Sequence, residues 1–311
     1  MSAGGDGRGD EQEITTHVEP IFKFSETRAV YPSSQTFLAS SPPHMQTRSQ
    51  RRLPISGGAG RTLLAHAAAA LLPFFSTREA RALRLVGREW KAAVARHPWA
   101  DRSTWINGSV AAWRASFPCA KVAKVSGFEY PDYRSAPIVD ADFVHFAGLA
   151  ELTMLSCTEV TDAAFAHLAG IRSLNMRGCR QITDAAFVHL KGIQELDMRS
   201  CSSITDAAFA HLKGIHALNM SFCDQDTITD AAFVNLKGIH ALDMSYCNQA
   251  TITDAVFAHL KGIHTLDMFF CNQGTITGSF IPLLAGINSI VVHGCNDATV
   301  AAARAAGLLF A

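Results

Sequence analysis

The sequence has no excess of charge: 27 Lys and Arg side chains are matched by 27 Asp and Glu, for a formal net charge of zero. A chain without a net field has no general attraction to nucleic acid or to an anionic membrane, so neither is an expected partner. No apolar run reaches the roughly 18–20 residues that span a bilayer. Met1 to Glu13 is rich in Gly, Asp and Glu where a signal peptide would carry an apolar core. The expected location is cytoplasmic or nuclear, not secreted. Gly-rich phosphate loops and catalytic motifs are also missing, so the expectation is no enzyme activity, no catalytic residue and no cofactor. Charged residues are only 17% of the chain against 48% apolar, which suits a packed protein rather than a disordered one.

Composition shifts divide the chain. Residues 1–60 are mixed polar sequence with Ser40-Ser41-Pro42-Pro43 and Gly57-Gly58-Ala59-Gly60, and read as a disordered leader. Within it Arg48, Arg51 and Arg52 read as a solvated basic cluster. Residues 61–99 form a small helical unit. Ser76 and Glu79 have capping-box spacing, and Ala80, Leu83, Val86 or Gly87, Trp90 and Val94 lie on one apolar helical face that ends near Pro98. Residues 100–137 read as a linker and a degenerate first repeat, with Ala120, Ala123, Val125 and Phe128 at repeat spacing.

From residue 138 to 311 the chain repeats itself. Ile138, Val160, Ile182, Ile204, Ile228, Ile252 and Ile276 open seven units, three spaced by 22 residues and three by 24. That period lies in the range of leucine-rich repeats. In the unit from Ile204 to Cys223, Thr205 is an N-cap and Asp206 sits in the first helical turn, where the helix dipole favours an anion. Gly214 is a helix terminator, and Leu218-Asn219-Met220 alternates as a short strand does. One unit cannot cover its own apolar side chains, so the units must stack, with parallel strands on the concave side and short helices on the convex side. Ala298 to Ala311 repeats only the helical half and caps the stack.

Seven of the eight cysteines, Cys157, Cys179, Cys201, Cys223, Cys247, Cys271 and Cys295, occupy one repeat slot. A linear ladder of thiols does not converge on a point as zinc ligands must, so they read as buried small side chains. His145, His167, His189, His211 and His259 share a second slot, and His216, His240 and His264 a third; both read as copied, solvent-facing positions with no metal. The recurring Asp140, Asp162, Asp184, Asp206, Asp230 and Asp254 are accounted for by the helix dipole. Specificity is expected where near-identical units differ, on the open face of the strands. The candidates there are Arg177, Asp197 and Arg199 early in the stack, and Phe222, Asp243, Tyr246, Asp267, Phe269 and Phe270 late in it. Aromatics dominate interface hot spots. The other reading of these rings is that they fold over one another, or under the longer loops Asp224–Thr227, Asn248–Thr251 and Asn272–Thr275.

The spacing Leu/Ile-x-x-Leu-x-Met-x-x-Cys followed by Ile-Thr-Asp-Ala-Ala-Phe resembles the cysteine-containing class of leucine-rich repeats found in F-box proteins, over about 160 residues. The segment containing Leu71-Leu72-Pro73-Phe74-Phe75-Ser76, Ala82 to Lys91 and His97-Pro98-Trp99 resembles a divergent F-box. It has Val86-Gly87-Arg88-Glu89-Trp90 where that family has Val-Cys-Arg-x-Trp, and it lacks the family's leading Leu-Pro-x-Glu. The resemblance implies a substrate receptor of a Skp1–cullin–F-box ubiquitin ligase. Leu71, Leu72, Pro73, Leu83, Leu85, Val86 and Trp90 would dock on the Skp1 adaptor, and the repeats would hold a target protein. The near-identical units also resemble F-box arrays of giant DNA viruses, which implies an adaptor and cullin of the host cell. A repeat scaffold that binds protein without the ligase remains the other reading.

Overall fold

A computed structural model describes residues 66–127 and 137–308. The leader and Phe128 lie outside the described residues. Eight strands form one parallel sheet in chain order: β1 (Val122–Ser126), β2 (Glu151–Leu155), β3 (Ser173–Asn175), β4 (Glu195–Asp197), β5 (Ala217–Asn219), β6 (Ala241–Asp243), β7 (Thr265–Asp267) and β8 (Ser289–Val291). β1 pairs in parallel with β2, with Ala123 opposite Leu152 and Val125 opposite Met154. Each later strand pairs in the same register, Leu218 opposite Leu242 opposite Leu266. The chain is thus a leucine-rich-repeat solenoid, an α/β stack of units around one continuous apolar core. Among the described residues no helix is long and apolar enough to cross a membrane.

The core is a set of columns, one residue per unit. Phe143, Phe165, Phe187, Phe209, Phe233, Phe257 and Phe280 are all fully buried, and so are the strand leucines and the methionines that follow them. The convex segments are short, about one or two turns each. Three are α-helical, α5 (Asp184–Phe187), α6 (Asp206–Phe209) and α7 (Asp230–Phe233), and others, such as Asp140–Phe146 and Asp254–His259, are 3₁₀. Gly214 stands at φ 80°, the left-handed conformation that ends such a turn.

The repeated Asp does more than meet a helix dipole. The Asp206 carboxylate accepts from the backbone N–H of Thr229 at 2.7 Å and from its hydroxyl at 2.6 Å. Thr229 Oγ1 in turn accepts from Ala231 N–H at 3.2 Å, as an N-cap does. The same staple joins Asp140 to Thr161, Asp162 to Thr183, Asp184 to Thr205, Asp230 to Thr253, and Asp254 to Thr277. The 24-residue units add a second device. Gln225 reaches back to donate to Cys201 O at 3.1 Å and Ile204 O at 3.0 Å, and Gln249 donates to Cys223 O at 3.0 Å.

The amino-terminal unit contains α1 (residues 66–71), α2 (Thr77–Leu83) and α3 (Arg88–Arg96) around Leu72, Ala80, Val94 and Trp99. The expected capping box is present: Glu79 N–H donates to Ser76 Oγ at 3.3 Å, and Ser76 N–H to Glu79 Oε2 at 2.8 Å. The single helical face expected from Ala80 to Val94 is instead broken between Leu83 and Arg88, where Gly87, a poor helix former, caps α3. The break turns Leu85 and Val86 into solvent. A further helix, α4 (Val110–Ser116), closes the open end of the first unit. α8 (Asp297–Ala305) closes the other end, capped by Asn296, with Thr299 and Ala303 buried.

Asp101 ties the helical unit to the connecting chain, accepting from Thr77 N–H at 2.6 Å and Ser103 N–H at 2.8 Å as well as from both hydroxyls. Burial alone would raise its pKa, but the hydrogen bonds from Ser103, Thr77 and Thr104 outweigh it and hold the carboxyl at about 2. A depressed folded pKa stabilises above the unfolded value and is lost as pH falls through the folded one. Asp101→Asn should therefore lower the unfolding free energy at neutral pH by about 1–2 kcal/mol after solvent screening, and the melting temperature with it. The gap to the wild type should close as pH falls from about 4 towards 2. A gap that stays constant over that range would remove the carboxylate as its source.

Candidate functional site

Along the middle of the concave face runs a ladder of short polar side chains, one per strand. Asn175 Nδ2 donates to Asp197 Oδ2 at 3.1 Å, and Asn219 Nδ2 to Asp243 Oδ2 at 2.7 Å. The Oδ1 oxygen of each turns down its own chain. Asn175, Asp197, Asn219, Asp243 and Asp267 accept, through Oδ1, the N–H two residues on, at 2.9–3.2 Å. Side chains that satisfy the backbone just past a strand end are a local alternative to the sheet ladder. This corrects the reading of Asp197 as a target-binding residue: it is fully buried, and its carboxylate is taken up by the Arg199 guanidinium at 2.8 Å. Arg177 is exposed and Arg199 half-buried above the ladder.

Beyond the strands, one position per unit adopts the left-handed conformation. Gly178 and Gly294 occupy it at φ 72° and 74°, and Ser156 and Ser200 at φ 50° and 56°. Phe222, Tyr246 and Phe270 occupy it at φ 57–58°. A side chain with Cβ pays about 1–2 kcal/mol there relative to the right-handed region. The three rings stack in a column, Phe222 on Tyr246 at 4.3 Å and Tyr246 on Phe270 at 5.3 Å between centroids. Phe270 lies over Gly294, whose missing side chain makes room for the ring. Phe269 meets Tyr246 and Phe270 edge-on at 5.5 and 4.6 Å and stacks on His293. The rings do fold over one another, yet the column remains open to solvent, with Phe222 50% exposed.

The proposed adaptor residues divide in two. Leu72 is core, and Leu83 and Trp90 pack against that core, so these hold the helices together. Leu72 is buried beneath the surface of the folded unit. Leu71, Pro73, Leu85 and Val86 face solvent, joined by Phe74, which is 83% exposed. Phe74 was not among the positions the motif singled out. A cleft of about 430 Å³ between α1 and α3 is lined by Ala69, Leu72, Ala93 and Pro98.

The cysteine ladder is buried, and each thiol donates to the carbonyl of a methionine one unit back, from Cys179 to Met154 O at 3.4 Å through Cys295 to Met268 O at 3.0 Å. Burial raises Cys201, Cys223, Cys247, Cys271 and Cys295, with Cys223 and Cys271 at about 12 and Cys295 at about 11, so these five stay protonated and poor nucleophiles. His216, His240 and His264 are exposed and stack face to face at 3.9 and 4.8 Å. Among the described residues no group of three His, Cys, Asp or Glu is placed to hold a metal ion.

No protein-family profile matches the chain. No curated protein matches it either. Solved structures similar to it include the TLR13–ssRNA13 complex, at 18% identity and a TM-score of 0.47 over 60% of this chain and 26% of that one. The Rad7–Elc1 complex of yeast is 17% identical, with a TM-score of 0.40, over 52% of each chain. The Toll–Spatzle complex of Drosophila is 12% identical, with a TM-score of 0.46, over 58% of this chain and 24% of that one. The chain therefore spans between about a quarter and a half of the length of these solved chains.

Proposed function

We propose that this protein is a non-catalytic receptor subunit: its repeats hold a target protein, and its helical unit docks on the Skp1 adaptor of a cullin-containing ubiquitin ligase. The observation that carries this reading is that large apolar side chains are left exposed on both the helical unit and the repeats. On the helical unit Leu71, Phe74, Leu85 and Val86 are left outside a core that is complete without them. On the repeats the aromatic column lies at the open face. Apolar side chains left in water in such groups mark interaction sites. The copied Asp, Cys and Thr columns are occupied in binding one unit to the next, which supports a receptor rather than an enzyme.

The test is a binding titration of the full chain against purified Skp1. Binding at micromolar adaptor or tighter is expected, weakened at least tenfold (about 1.4 kcal/mol) by Phe74→Ala with Leu85→Ser. Those side chains lie outside the core, so the melting temperature should hold. No binding by the intact chain at micromolar adaptor would replace the ligase reading with a plain protein-binding scaffold. That second reading draws support from the helix break at Gly87, within the motif where this chain departs from the F-box pattern.

A further inference from the structure

Two features of the late units work against the fold, and they touch. The first is the polar ladder. It alternates amide and carboxylate, Asn175, Asp197, Asn219, Asp243, so that each carboxylate has a donor beside it. The next position breaks the alternation with Asp267, directly across from Asp243 in the sheet register. Adjacent strands are about 4.8 Å apart, so two carboxylates stand side by side. Among the described residues the Ser245 hydroxyl lies between them, 3.0 Å from Asp267 Oδ1. Early in the stack Asp197 has the Arg199 guanidinium and Glu151 has that of Arg102. Among the described residues neither Asp243 nor Asp267 has one. Burial, with Asp243 adding to it, raises the Asp267 carboxyl above its ordinary value.

The second feature is the aromatic column, placed in a left-handed slot that other units fill with Gly or Ser. Phe269 links the two, its N–H on Asp267 Oδ1 and its ring against Tyr246 and Phe270. Units this alike show what the fold prefers at each position. Departures that oppose the fold, gathered at one open face, are where function is expected to outweigh stability. The ring faces are largely covered by one another, so the column offers apolar contact rather than a cation–π platform. The charge lies beside it.

We propose that the concave face of β5 to β8 receives an extended segment of the target in which lysine or arginine is flanked by apolar side chains. The cation sits between Asp243 and Asp267, and its apolar neighbours pack on Phe269, Tyr246 and Phe270. This rests on the reading of the repeats as the target-holding surface, and it adds the chemical class of what is held. Four strands span roughly 15 Å, which about five or six extended residues cover.

The test is selection from a random phage-displayed peptide library of about ten residues on the immobilised full chain. Binding of the enriched peptides is then measured by fluorescence anisotropy at physiological salt. Enrichment of Lys or Arg next to apolar residues is expected. Two variants separate binding from structure. Asp267→Asn restores the amide–carboxylate alternation and keeps the Oδ1 acceptor, so it should raise the melting temperature while weakening the peptides at least tenfold. Tyr246→Gly with Phe270→Gly leaves in the slot the residue found there as Gly178 and Gly294. It should likewise weaken binding tenfold, with a nearly unchanged melt. Phe74→Ala should leave peptide binding intact. A pool without basic enrichment, or basic peptides indifferent to Asp267→Asn, would overturn the proposal. So would dimerisation of the full chain that the glycine variants abolish, which would give the face to a second copy. Adaptor binding measured on the same samples keeps the two readings apart. Adaptor capture without basic peptides sinks this inference alone, and basic peptides without adaptor capture sink the ligase reading alone.

Discussion

Replacing Phe209 with alanine is expected to remove about 3–5 kcal/mol of stability and to split one unfolding transition into two. Phe209 ends α6, is fully buried, and stacks on Phe233 at 6.5 Å. It belongs to a column in which every ring is covered only by the units on either side. In a linear array stability is a sum over units and junctions, so a cavity in the middle weakens two junctions at once. The blocks before and after it then lose their reason to unfold together. Denaturant melts should show a lower midpoint and a shallower main transition, because less surface is exposed in each step. Phe280→Ala is the control: that ring stacks on Phe257 at 3.6 Å near the end of the array and should leave a single transition. A loss below about 1 kcal/mol with an unchanged slope would mean that the column collapses around the gap.

The second large effect is expected at Arg114. It projects from α4 across the open end of the first unit and donates to four backbone carbonyls, His145 O at 2.6 Å, Ala147 O at 2.7 Å, Ala120 O at 3.2 Å and Pro118 O at 3.3 Å. Burial lowers its pKa without neutralising it. Arg114→Ala leaves partly buried carbonyls unpaired, at a cost of about 2–4 kcal/mol. The loss should fall on one end of the molecule. Amide hydrogen exchange should accelerate in β1 and in the turn at Asp140–Phe146 but not in β6 or β7. Uniform acceleration would mean that α4 stabilises the whole array rather than capping it. Arg114→Lys should recover little, since one ammonium cannot reproduce the guanidinium fork.

The stack itself was legible because its cause is local and repeated. A 22- or 24-residue period with Ile, Phe, Leu, Leu and Met in fixed slots leaves those side chains uncovered unless units pile up, and they do. The capping box at Ser76 and the turn at Gly214 were legible for the same reason. What escaped depends on partners in the neighbouring unit. The helix dipole sufficed to account for Asp206, which concealed its bonds to Thr229, 23 residues away. Strand alternation placed Asp197 on the concave side correctly, but only the adjacent strands reveal that Asn175 and Arg199 enclose it. α4 went unnoticed because a cap covers an edge once and leaves no periodic trace. The aromatic slot had a signal that could have been read: Gly178 and Gly294 alternate there with serine and rings, which marks a backbone that glycine suits and bulky side chains do not.

The Asp-to-Thr staple makes every unit a donor to the one before it and an acceptor for the one after it. A unit can therefore be spliced out whole, or copied in place, with the staple at the new seam intact, because the flanking Asp and Thr already match. The chain of staples stops at Thr277, since Gly278 stands where an acid would continue it, and α8 packs against that glycine. Duplication between Asp140 and Thr277 thus preserves the staples, whereas at Gly278 no acid continues them. The surface residues, which take no part in the seams, are left to diversify from copy to copy.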